Sequence, residues 1–143
     1  MNAVLLSAHV LAAILAVGPI AVAASMFPRY ARALPAGDAA VSATAAVLHR
    51  ICRVYAAVGL AVPVLGFATA ASMGVLTDGW VLVSIALTAA AAVVLIAFVL
   101  PAQQSVLAGA TVTTLAMTTG VFNLLWVVVT VLMIVRPGSS TGV

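Results

Sequence analysis

No Asp, Glu, Lys or Arg occurs before Arg29, between Arg53 and Asp78, or between Asp78 and Arg136. Uncharged stretches of that length constrain this chain more than any other feature. A membrane-spanning helix needs about 20 consecutive, mostly apolar residues, and these stretches supply four. Over all 143 residues, 66% are hydrophobic and 5% charged, against roughly 25% charged in a soluble domain. Five arginines, two aspartates and no lysine cannot keep so apolar a surface dispersed in water. Disorder is excluded as well, because it requires low hydrophobicity and high charge. The expectation is an all-α polytopic membrane protein, a four-transmembrane-helix bundle, forming one membrane domain over residues 1–143. Its helices are expected at about 3–27, 39–75, 80–101 and 113–135, with a tail at 136–143. Helices are preferred to a barrel because lipid offers the backbone no water. Barrel strands alternate polar and apolar residues over about ten positions, which these runs do not.

The breaks between the runs carry turn and cap chemistry. Pro28, Pro35, Gly37 and Asp38 lie in the first break, with Asp38 as a helix N-cap. Asp78 is the expected cap of the third helix, and Pro101 its expected end, with Gln103 and Gln104 as a polar edge. Ala3–Phe27 is longer than the apolar core of about 7–15 residues in a secretory signal and has no basic residue before it, so it reads as a retained helix.

Four of the five arginines, Arg29, Arg32, Arg50 and Arg53, fall in or beside the first connection. They read as a topology and lipid-headgroup signal rather than a nucleic-acid surface. The positive-inside rule places that connection in the cytoplasm, and four crossings then put both chain ends outside. Trp80 falls at the outer interface, and Tyr30 and Tyr55 at the inner one. The expected setting is the bacterial inner membrane, with the lipid bilayer as first partner and a second copy or a membrane complex as the next. Small residues allow close backbone approach between helices in lipid. Gly59, Pro63, Gly66, Ala70 and Gly74 are therefore expected to pack against Ala12, Ala16, Pro19 and Ala23.

Polar groups inside a span are functional candidates because lipid makes them costly. His9 leads them: an imidazole can ligate haem or copper, relay protons, or simply hydrogen-bond a neighbouring helix. A copper reading adds the thioethers of Met1, Met73 and Met133, which fall at the same membrane face. In the fourth helix Thr119, Asn123, Trp126 and Thr130 form one polar face, able to line a cavity or to hold helices together. Ser84 and Thr88 form a smaller pair in the third. His49 reads with Arg50 and Arg53 as a cationic group in contact with anionic lipid, and Cys52 as a small side chain between those arginines. No catalytic residue can be named. There is no intramembrane carboxylate or lysine, no phosphate loop, no H-E-x-x-H and no cysteine pair.

Several short motifs resemble a bacterial family of four-helix predicted integral membrane proteins of unknown function. They are His9 followed by Gly18, His49-Arg50-Ile51-Cys52-Arg53, Gly66, Gly79-Trp80, Pro101 and the close Leu132-Met133-Ile134-Val135-Arg136-Pro137. Where that family tends to carry a glycine pair in its first helix, this chain has Gly18-Pro19. The chain is also faintly similar to CopD-type copper-resistance proteins and to HemJ-type haem proteins, the latter through His9 and Pro28-Arg29. The latter similarity implies haem b on a first-helix histidine, here His9, alone or with Met73. HemJ-type proteins also use a lysine in a later helix, where this chain shows Ser84 and Thr88. The functional expectation is a non-enzymatic accessory or structural bundle, with a haem-binding redox protein and a copper-handling protein as alternatives.

Overall fold

The computed structural model describes residues 2–139. Those residues form helices and connections with no strand, and four stretches are long and apolar enough to cross a membrane: Ala3–Ala36, Ala39–Met73, Gly79–Leu107 and Leu115–Val135. Helix α1 runs Asn2–Ala33. It passes through both Pro19 and Pro28 rather than ending at Phe27 as expected, so Arg29 and Arg32 ride on the helix. Prolines are tolerated in this way where neighbouring helices support the backbone. A single 3₁₀ turn, Leu34–Ala36, ends at Gly37, whose φ of 74° requires glycine's freedom.

The second span is two helices, α2 (Ala39–Gly59) and α3 (Ala61–Met73). Asp38 caps α2 as expected, its carboxylate accepting from the Ala40 and Val41 amides at 2.7 and 3.4 Å. The break at Leu60 follows from Pro63, which has no N–H to offer the Gly59 carbonyl. Leu60 closes instead onto the Ala57 carbonyl at 3.2 Å. Helix α3 stops two residues short of the expected Val75 at a left-handed Gly74, where the Val75 amide reaches the Ala70 carbonyl at 3.1 Å.

The third span departs most from expectation. Helix α4 (Gly79–Val93) passes into a π-helical segment, Val94–Val99, and then into α5 (Leu100–Leu107). Pro101 does not end this span. Its ring would crowd the carbonyl four residues back; the wider winding, with the Leu100 amide reaching Leu95 O, accommodates it, and the helix continues for six more residues. Gln103 is therefore carried into the bundle rather than left at a polar edge. Asp78 precedes α4 in an extended conformation, but its carboxylate accepts from Trp80 Nε1 at 3.2 Å and makes no cap bond. The fourth span is α6 (Leu115–Val135).

Helix α1 packs along α2 and α3, while α4 and the π segment pack on α6, which also meets α1. The core gathers Ile20, Phe27, Cys52, Leu95, Val99 and Phe122. Large apolar side chains such as Leu15, Val64, Phe67, Leu124 and Ile134 remain exposed on the outer faces. The small-residue expectation holds where helices touch. Ala16 and Ala23 are buried, and a Cβ added at Gly59 would sit 3.9 Å from Ala16 Cβ. Pro63 and Gly74, in contrast, face outward.

Candidate functional site

His9 is buried between α1 and the second span, 7% exposed. Its Nδ1 lies 3.0 Å from the Val62 carbonyl oxygen. A carbonyl oxygen only accepts, so Nδ1 carries the proton and Nε2 the lone pair. The ring closes over Gly66, where a Cβ would lie 2.8 Å from Cε1 and 3.5 Å from Nε2. Glycine at position 66 is thus the seat of the imidazole. Met73 lies seven residues further along α3, about 10 Å at 1.5 Å per residue, and no hydrogen bond joins it to His9. Met1 lies outside the described residues.

The polar face of α6 divides. Thr119 is 3% exposed, Asn123 and Trp126 are partly buried, and Thr130 is outside. Asn123 Nδ2 donates to Ser25 Oγ on α1 at 2.9 Å, and Trp126 meets Phe122 edge to face at 6.4 Å. Thr130 returns its hydroxyl to the Trp126 carbonyl at 2.8 Å. Thr119 Oγ1, Asn123 Oδ1 and Trp126 Nε1 are buried without a hydrogen-bond partner. Ser84 likewise bonds its own helix, at Trp80 O.

At the arginine end lies a cluster that the sequence reading missed. Gln103 is completely buried, and its Oε1 sits 3.0 Å from His49 Nδ1 while its Nε2 donates to Cys52 Sγ at 3.6 Å. His49 is 8% exposed and Cys52 0%. The expectation that His49 simply faces lipid alongside the arginines is corrected: one of its nitrogens is held inside the bundle. The available signal was the 3.6-residue period, which places His49 and Cys52 on one face of α2. Arg29, Arg32, Arg50 and Arg53 are exposed. Two cavities open at this end. One of about 950 Å³ lies between the first and third connections beside Arg32 and Asp38. The other, of about 430 Å³, lies beside His49, Arg50 and Arg53.

At the opposite end Arg136 lies 5.6 Å from the Trp80 ring centroid, a cation–π contact between the last span and the third. Each neighbouring pair of spans therefore has its own polar tie. His9 to Val62 joins first and second, and His49–Gln103–Cys52 joins second and third. Trp80 to Arg136 joins third and fourth, and Asn123 to Ser25 joins fourth and first. Compared with family models, curated proteins and solved structures, the chain finds no match.

Proposed function

We propose that this chain is a non-enzymatic accessory or structural four-helix protein of the bacterial inner membrane. It crosses the bilayer four times, with the Arg29–Arg53 connection in the cytoplasm and residues 3 and 135 on the outer side. The observation that carries this reading is the closed ring of polar ties. Two of the side chains singled out as chemical candidates, His9 through Nδ1 and Asn123 through Nδ2, hold span to span. A bundle fixed in this way offers its lipid-facing apolar and small residues to a second copy or to another membrane protein, since helices in lipid associate by packing rather than by hydrophobic expulsion.

One observation favours the haem alternative. The Nδ1–H bond from His9 to a backbone carbonyl is the arrangement that orients metal-bound histidines and leaves Nε2 as donor atom. In that reading His9, alone or with Met73, would hold haem b, which supplies one-electron chemistry when bound. The closure of the ring over Gly66 favours the strut instead. Copper on His9 with Met1, Met73 and Met133 is the remaining alternative, Met1 lying outside the described residues.

Purified protein expressed with added haem and with copper, examined by absorbance before and after dithionite and by metal analysis, is expected to show neither a Soret band nor stoichiometric copper. Crosslinking in native membranes is expected to give a discrete larger species. A Soret band or a copper content abolished by His9→Ala transfers the assignment to the corresponding alternative, and a chain that crosslinks to nothing removes the accessory role.

A further inference from the structure

The cavity of about 430 Å³ at the arginine end is a groove between α2 and the end of α5. Ala46, His49, Arg50, Arg53 and Val54 recur along α2 at three- and four-residue steps, and Leu107 forms the other wall. Its charge is uncompensated. Arg50 and Arg53 have no ion-pair partner among the described residues. The sequence has two carboxylate side chains: Asp38 is engaged on the α2 N-terminus and Asp78 on Trp80.

The groove also contains an oriented third group. His49 is more than nine-tenths buried, and its Nδ1 is held by the fully buried Gln103, itself fixed on Cys52. Its Nε2 has no partner among the described residues, which leaves this nitrogen as the one available to a ligand in the groove.

We propose that this groove binds the phosphate of a phosphomonoester lipid headgroup, gripped by Arg50 and Arg53 and met by His49 Nε2. Guanidinium groups bind phosphate oxygens through charge-assisted, often bidentate bonds. The Nδ1–H of His49 is directed at Gln103 Oε1, which leaves the Nε2 lone pair to accept from the P–OH of a phosphomonoester. A phosphodiester has no such proton and engages the arginines alone. Val54 and Leu107 supply the apolar flank that a diacylglycerol requires. The site rests on the membrane-embedded reading above.

The test is native mass spectrometry of the full chain in detergent, incubated with equal phosphatidic acid, phosphatidylglycerol and phosphatidylcholine. The expected result is a phosphatidic-acid adduct that weakens at least about tenfold, about 1.4 kcal/mol, in Arg50→Gln/Arg53→Gln. It should persist in Arg29→Gln/Arg32→Gln, outside the groove, and survive an equal concentration of inorganic phosphate. His49→Gln should narrow the preference for phosphatidic acid over phosphatidylglycerol. Equal loss in both arginine pairs reduces the effect to diffuse surface charge and overturns the site. Displacement by inorganic phosphate overturns the lipid as the source of the phosphate. Absence of an adduct from protein that remains in the membrane fraction rejects the groove alone, whereas protein recovered without detergent rejects the reading beneath it.

Discussion

Gly66→Ala is expected to destabilise the bundle by about 1–2 kcal/mol, although alanine is the better helix former by roughly 0.5–1 kcal/mol. The added Cβ would sit 2.8 Å from His9 Cε1, well inside van der Waals contact. The ring cannot slide aside without leaving the Val62 carbonyl, 3.0 Å from its Nδ1. Either that bond breaks or α1 separates from α3. A thermal scan in detergent reads the loss. The diagnostic is the cycle with His9→Ala. With the ring removed, Gly66→Ala should cost nothing or stabilise, a coupling of about 1 kcal/mol or more. Equal costs in both backgrounds would mean that the imidazole is not seated on Gly66.

Gln103→Leu is expected to cost about 1–3 kcal/mol despite similar volume and greater hydrophobicity, because His49 Nδ1–H then loses its acceptor inside the bundle. Loss of both partners removes the orphan, so His49→Leu/Gln103→Leu should recover most of the stability. Labelling of Cys52 by a small maleimide gives a second readout: slow in the parent, where the thiol is buried beneath Gln103, and faster in Gln103→Leu. A Gln103→Leu protein as stable as the parent, with Cys52 still protected, would remove the cluster from the account.

Much of this architecture is legible in the sequence because long, uncharged, apolar runs leave few solutions other than helices. The second and fourth helical stretches appear near their expected positions, while the first and third each run past their expected ends. Asp38 was readable as a cap because it follows the turn residues Pro35-Ala36-Gly37 and precedes an apolar helical run. What did not follow was the behaviour of the prolines. Pro28 and Pro101 read as helix ends, yet α1 continues past one and a π segment absorbs the other. Missing the second hid Gln103, since a residue two places beyond an expected helix end has no reason to be buried. His9 stands out in the sequence as the histidine within the first span, and it is buried, but its partner is not legible there. Nothing in a linear pattern says that Gly66 leaves a gap for an imidazole from 57 residues earlier rather than for a backbone. Periodicity fixes which face a residue is on; which face it meets is a property of packing.

The membrane topology is the premise of every functional statement here, and site-directed thiol labelling tests it most directly. In a Cys52→Ala background, single cysteines are placed at Ala36 in the first connection and at Thr77 in the second, both exposed positions, and cells are treated with a membrane-impermeant maleimide. The account predicts that Thr77→Cys is labelled in intact cells with a permeable outer membrane, and Ala36→Cys only after the inner membrane is broken. Labelling of Ala36→Cys first, or of both positions from the same side, would contradict it.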